Sequence, residues 1–474
     1  MVFSLNARQR AIGQADGSHR WWGFTGGMLA VKCCGRAPEQ YRLSSSSVVE
    51  SGRGVAYGTE FFGHLLNVRA RNMSAYADDP EHFVGWAQAH FSSSVSLDDY
   101  LPRPVYGHYV AAQVKEAARL DAEHFRCIRD EAVGLIRHDE TTELILSSGQ
   151  ATTAHKVVLA LGNFPPRDMT APGKQPVSTR LLNNPWSGCG VTYARDDKAV
   201  LLIGSGLTSV DVAVELRDRS FQGTIHVLSR RGLLPQRHQL VPPLATPTLE
   251  EAPRTARGLM RMIRRRVKAG EKDGLDWRSV LDSMRPLYQQ FWQSLPVQEQ
   301  RRFLRHARPY WDVHRHRIAR PVAEQLAQEI KRGQMQVHAG RVMEYREDDE
   351  GVCVVFRERR NREIATLRVD RVINCTGPDC DFRNVDSALV ADLLRNKQAW
   401  VDELSLGLDV TESGAVSDGH GRCSDWLYAA GPLCKGRLWE TIAVPELRAQ
   451  VADLTRLLVA QATAELDKYE AAAD

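Results

Sequence analysis

The chain lacks any apolar run approaching the roughly 20 residues of a membrane-spanning helix. Its N-terminal Arg8 and Arg10 are followed by no apolar segment of the kind a secretion signal carries. Neither sign of charge is in large excess: the formal net charge is +4. Bulk electrostatics therefore give no argument for a nucleic acid or a membrane as partner. The nine cysteines follow no repeating spacing, which reads as free thiols in a reducing compartment and so as a cytoplasmic protein. Cys375 and Cys380 have C-x4-C spacing, but they follow the apolar strand ending Val372-Ile373 rather than an N-terminal turn. Cys33 and Cys34 are adjacent, a geometry that rarely closes without strain. A dithiol mechanism accordingly ranks behind buried or incidental thiols. No Ser–His–Asp order, H-E-x-x-H or metal-ligand spacing is present, which sets aside hydrolases and metalloenzymes.

What is present suits a soluble globular protein of two or three domains: 474 residues, 43% hydrophobic and 25% charged. Short strands are expected at Ala132–Ile136, Glu143–Leu146 and Lys156–Ala160, the last breaking at Gly162 before Pro165-Pro166. Residues 247–335 read as mostly helical, and Arg257, Arg261, Arg264, Arg265, Arg266 and Lys268 crowd one segment there. Such a run is more often a solvated face than a site for an acidic substrate or partner. Strands return at Gln336–His338, Val352–Phe356 and Val369–Asn374, and a helix is expected from Pro445 to about Leu466.

One stretch carries chemistry. Val200–Ile203 is an apolar run suited to a buried parallel strand; it breaks at Gly204-Ser205-Gly206 and resumes as a helix through Leu207, Thr208, Val210, Val214 and Leu216. Gly204 permits the tight turn, and Gly206 lets a pyrophosphate approach the backbone and the positive end of the helix. Ser209 stands where the third glycine of the fingerprint usually lies. A second strand, Thr224–Leu228, ends in Ser229-Arg230-Arg231. An NAD site would place an acid there for the ribose hydroxyls, whereas two arginines suit the 2′-phosphate of NADPH.

Further segments form an ordered set: GRGVAYGTE (Gly52 to Glu60), HLLNVRARNMSAYADDPEHF (His64 to Phe83), PRPVYGHY (Pro102 to Tyr109) and VLALGNFPP (Val158 to Pro166). They continue with NPW, GSGLTSVD, SRRGLLPQRH, RPYWDVHRHR, VINCTGP and GPLCKGRLWETIAVPELR, the last ending at Arg448. From Gly23 to Arg448 the chain resembles bacterial FAD/NAD(P)-binding oxidoreductases, distant relatives of flavin-containing and amino-acid N-hydroxylating monooxygenases. The resemblance implies an α/β fold with two dinucleotide-binding, Rossmann-like domains, the NADPH domain inserted in the FAD domain. Its boundaries would be 1–166 and 381–474 for FAD and 167–380 for NADPH, with the helical insertion at about 247–335. The strands ending at Gly162 and Gly377 would be the paired crossings. By the same resemblance Gly23 and Gly26 would turn around the FAD pyrophosphate and Glu50 would hold its ribose. Arg53 and the segment from Asn67 to Met73 would lie along the flavin; Gly431, Thr441, Ala443 and Val444 would present amides to it. The implied activity is NADPH-dependent flavoprotein oxidoreduction, with hydroxylation of a small organic substrate as its leading subtype. Tyr310, Trp311, His314 and His316 either line a substrate or nicotinamide pocket or, by the plainer reading, start a helix with packed aromatics.

The opening departs from this pattern. A dinucleotide domain delivers its first strand directly to the glycine turn, yet Gly13 to Trp22 (GQADGSHRWW) holds no β-branched run, and Trp21 stands where the first glycine belongs. Ser44 to Ser47 leave only Val48-Val49 as the second strand before Glu50. Val2–Leu5 is able to substitute as the central strand but lies far ahead of the turn. A second reading thus stays open: a nucleotide-binding or redox-sensing protein that has lost FAD.

Overall fold

A computed structural model describes residues 2–7, 24–34, 41–46, 53–169, 179–187, 191, 196–248 and 252–473. They form two compact units. The first comprises Met1–Phe62, Val68–Phe164 and Cys380–Asp474, the second Gly63–Asn67 and Pro165–Asp379.

The first unit is built on a six-stranded sheet in the order Ala415–Ser417, Cys423–Ala429, Lys156–Leu159, Val2–Ala7, Tyr41–Ser46, Phe125–Ile128. Val157, Val158 and Leu159 are fully buried, as a strand covered on both faces requires. Cys423–Ala429 pairs parallel with it, and Tyr41–Ser46 pairs parallel with Phe125–Ile128. Between them Val2–Ala7 runs antiparallel to both neighbours, Val2 standing opposite Leu159 and Ser46. The N-terminal run does fill the central slot, but reversed. Ala7 therefore leaves the sheet at the edge where the parallel strands begin, and residues 8–23 separate it from the next helix. That helix, Phe24–Cys33, buries Met28, Leu29 and Ala30 completely and packs on the helices Arg103–Leu120 and Val444–Ala473. A three-stranded antiparallel sheet, Ala132–Arg137, Thr142–Leu146 and Ala151–Ala154, completes this unit.

The second unit is a seven-stranded sheet ordered Ile364–Val369, Gly351–Glu358, Met335–Asp348, Thr224–Ser229, Ala199–Ile203, Arg371–Asn374, Leu181–Leu182. Its five members from Met335–Asp348 to Leu181–Leu182 are parallel, and the hairpin Gly351–Val369 adds two antiparallel strands. Val200, Leu201 and Leu202 are buried to 0% exposure, so the strand that precedes the glycine turn sits mid-sheet with both faces covered. Between Ala256 and Lys331 the chain is helical around a core of its own that includes Leu259, Val280, Met284, Tyr288 and Phe291.

Candidate functional site

Gly204 follows the central strand of the second unit with φ +103°, and a Cβ there would stand 2.4 Å from Cys375 O on the neighbouring strand. Both the backbone angle and the contact restrict the position to glycine. Gly206 is the N-cap of helix Leu207–Asp218, with no side-chain cap, and a Cβ on it would meet nothing within 4 Å. The first-turn amides of that helix, from Leu207 and Thr208 onward, have no intrahelical acceptor by construction and carry the positive end of its dipole. Ser209 is buried and turns its Oγ back to Gly206 O at 2.8 Å, which closes the turn from within.

The hydroxyl of Ser205 donates to Leu233 O at 2.6 Å and lies 2.8 Å from Ser229 Oγ, which accepts from Gly232 N at 3.0 Å. These bonds fasten the loop carrying the two arginines to the glycine turn. Arg231 donates to Tyr310 Oη at 3.1 Å and to His306 O at 3.3 Å, with its guanidinium 4.9 Å from the Tyr310 ring centre. Arg230 is exposed and makes no hydrogen bond or ion pair with the described residues. Gly377, two residues beyond Cys375, has φ +86° and open space where a Cβ would go. The structure thus brings Gly204, Ser205, Gly206, Leu207, Thr208, Ser229, Arg230, Arg231 and Gly377 to one edge of the sheet. A void that a side chain would fill and an unpartnered cation fit a phosphorylated dinucleotide there.

Beside Gly232, whose Cβ would sit 3.1 Å from that of Ala339, a cavity of about 460 Å³ is lined by His338, Ala339, Phe356, Glu358, Arg359 and Arg360, among others. His338 Nε2 shares a 3.1 Å hydrogen bond with His226 Nδ1. Burial, and then the neighbouring His338 ring, hold the His226 pKa down to about 4; burial also lowers that of His338. Elsewhere in the unit His64 is fully buried, its Nε2 lying 3.2 Å from Asp211 O and 3.5 Å from Glu215 Oε2. Asn67 O lies 2.9 Å from His238 Nε2.

In the first unit Gly431 has φ +76°; a Cβ there would lie 3.0 Å from Thr25 Oγ1 at the start of helix Phe24–Cys33. Gly431 N donates to Gln450 Oε1 at 2.9 Å, which ties it to the long helix that begins at Val444. Thr441 and Val444 are buried, Ala443 is half-buried, and Thr441 Oγ1 has no partner among the described residues. Tyr106 Oη, fully buried, also lacks a partner among the described residues, as does Arg53 Nε, although Arg53 Nη1 reaches Glu60 at 2.7 Å. The Tyr106 ring lies 6.2 Å from that of Phe24 and 4.6 Å from that of Tyr57, and Arg53 Cδ stands 3.2 Å from where a Gly107 Cβ would be. Tyr106 Oη beside Phe24, with Arg53 Nε and Thr441 Oγ1 in the same unit, offers polar atoms that a polar ligand would complete, and they fit a flavin nucleotide. Tyr57 in GRGVAYGTE and Tyr106 in PRPVYGHY were given no role from the sequence; an orphaned hydroxyl shows only once its neighbours are placed.

Gly23 and Glu50 lie outside the described residues. Gly26 is buried in the first helix. The segment from Asn67 to Met73 is divided: Asn67 belongs to the second unit, and Met73, 1% exposed, to the first. Gly162 has φ +70° with open space at its Cβ position. In the RPYWDVHRHR stretch, helix Arg308–Arg315 places Trp311 in the helical core, 4.5 Å from Tyr288 between ring centres. Tyr310 turns to Arg231, His314 Nδ1 lies 2.7 Å from Tyr310 O, and His316 is 3.9 Å from Asp312. Cys375 and Cys380 form no disulfide among the described residues, and burial pushes the Cys375 pKa far above its ordinary value, against thiolate chemistry. Among the described residues no cluster could hold a metal, and no helix is long and apolar enough to cross a membrane.

Residues 22–164 match the model of a family described as FAD-NAD(P)-binding. The fold is that of the two-domain FAD/NAD(P)-binding oxidoreductases. An ornithine N-hydroxylase from Kutzneria sp. 744, solved with reduced FAD, NADP+ and L-ornithine, superposes with a TM-score of 0.57 at 13% identity over 93% of this chain and 97% of its own. L-lysine 6-monooxygenase from Pseudomonas syringae gives 0.60 at 13% identity, covering 93% and 98%. Bacillithiol disulfide reductase from Bacillus cereus gives 0.53 at 13% identity, covering 93% and 97%. No curated protein matches the chain in sequence. At such identities it is the oxidoreductase fold that is shared.

Proposed function

We propose that the protein is an NADPH-dependent FAD flavoprotein oxidoreductase of the cytoplasm, and within that class a monooxygenase hydroxylating a small organic substrate. The observation that carries the reading is the turn at Gly204–Gly206: a Cβ on Gly206 would meet nothing within 4 Å, and just past the neighbouring strand Arg230 has no partner among the described residues. In this reading 167–380 is the NADPH domain, with 1–166 and 381–474 forming the FAD domain. The amides after Gly206 hold the pyrophosphate and Arg230 the 2′-phosphate, while Ser205 and Ser229 keep that loop in register. Gly431, Thr441, Ala443 and Val444 bind the flavin through backbone amides, and Arg53, Thr441 and Tyr106 supply polar side-chain atoms that lack an internal partner. A bound flavin would supply the redox chemistry, the oxidation of NADPH coupled to reduction of oxygen or an organic acceptor. Of the structures compared, two are of N-hydroxylases or monooxygenases of amino acids, which favours a small amine-bearing substrate.

The test is the visible absorbance of the purified protein, followed by NADPH oxidation with oxygen and product both measured. Flavin bands with hydroxylated product equal to the oxygen consumed support the monooxygenase; peroxide as the sole product leaves an oxidase or reductase. The reversed strand Val2–Ala7 favours a second reading, a nucleotide-binding or redox-sensing protein without FAD. A colourless protein that still binds NADPH would decide for it.

A further inference from the structure

The helix Ala256–Lys272 turns Leu259, Ile263 and Val267 into the helical core. On its opposite side Arg257, Arg261, Arg264, Arg265, Lys268 and Lys272 are all exposed and fall within an arc of about 100°, a stripe about 22 Å long. Several surface arginines elsewhere are paired within a turn: Arg302 with Glu299, Arg308 with Asp312, Arg320 with Glu324, Arg422 with Asp418. None of the six stripe cations has a carboxylate partner among the described residues, and Glu271, three residues after Lys268, pairs with neither it nor another. Like charges four residues apart repel along the stripe, and no carboxylate among the described residues pairs with them. Since the chain as a whole carries only +4, this is a local concentration of charge. A groove of about 610 Å³ flanks the stripe, with Arg261, Arg265 and Arg266 beside Met262, Pro253 and Ala269.

We propose that this stripe and groove dock an acidic polypeptide surface, one that sets carboxylates against the stripe and an apolar side chain against Met262. Five of the seven cations on the stripe and groove are arginines, whose planar forks match carboxylates two bonds at a time. No aromatic side chain lines the groove on which a base could stack. No large apolar side chain is exposed among the helix's described residues to enter a bilayer. Charge complementarity with an apolar floor therefore points to a protein.

The test uses the full chain and fluorescently labelled poly-L-glutamate, read by anisotropy at low and at physiological salt. Saturable binding is expected, weakened about tenfold or more in Arg261→Glu/Arg265→Glu/Lys268→Glu and less in Arg261→Gln/Arg265→Gln. Removing like charges eases helix formation, and far-UV circular dichroism verifies that both variants are folded. The proposal is overturned if poly-L-glutamate does not bind, if reversal leaves its affinity unchanged, or if a DNA duplex or phosphatidylserine vesicles bind more tightly through the same residues.

Discussion

The two proposed nucleotide cradles differ in how the chain arrives at them. In the second unit the strand Ala199–Ile203 points at its turn, and three residues later a helix begins. In the first, the central slot is filled by Val2–Ala7 running the other way, and the buried helix start at Phe24 is reached only after residues 8–23. Filling the middle of a sheet satisfies its ladder of hydrogen bonds in either direction. Delivering a turn to the strands' carboxyl edge demands one direction. Sheet completion and phosphate binding are therefore separable requirements, and this chain separates them.

The sharpest break between the cradles should come from Gly204→Ala. Positive φ together with the approach of Cys375 O would destabilise the second unit by roughly 3 kcal/mol or more. NADPH binding should vanish in titrations while flavin content holds; parallel loss of flavin would show that the cradles are not independent. Next, Arg230→Ala should weaken NADPH by about tenfold or more and leave NADH nearly unchanged, because a charge-assisted phosphate bond is what disappears. Arg231→Ala should cost NADPH less, because its guanidinium is already held by Tyr310 Oη and His306 O. Equal losses for both cofactors would remove the phosphate assignment. In the first unit, Thr441→Val deletes an orphaned buried hydroxyl, so the flavin-free chain should gain about 1 kcal/mol in thermal unfolding while flavin retention falls. A less stable flavin-free variant would mean that the hydroxyl has an internal partner. The smallest effect is one of pH. His226 titrates near 6.5 when unfolded and about 4 when folded, so the unfolded chain binds the extra proton between those values and stability declines as pH falls from about 6.5 to about 4. His226→Gln should flatten that decline in chemical denaturation of the second unit.

The two-domain α/β plan was legible because its buried strands are written as continuous apolar runs: Val157–Leu159 and Val200–Ile203 announce coverage on both faces. The helix after Gly206 was legible from its period. Direction was not. Ser4 and Asn6 alternate with apolar neighbours as in any strand, and which way Val2–Ala7 runs is decided by tertiary pairing that no local pattern records. At the second cradle the spacing pointed to Ser205 but not to its bond with Leu233 O, since loops far apart in sequence meet only after folding. Arg230 and Arg231 looked equivalent in sequence; Tyr310 makes them unequal.

The five residues Gly63–Asn67 belong to the second unit although both of their flanks belong to the first. His64 stands against Glu215 inside that unit, and Asn67 offers its carbonyl to His238. A gene fragment encoding only Pro165–Asp379 would thus be born with a slot cut for a missing splint, its Glu215 carboxylate robbed of the imidazole beside it. Anyone seeking the nucleotide-handling half by itself would have to graft that splint back, by circular rearrangement or as a short peptide added in trans.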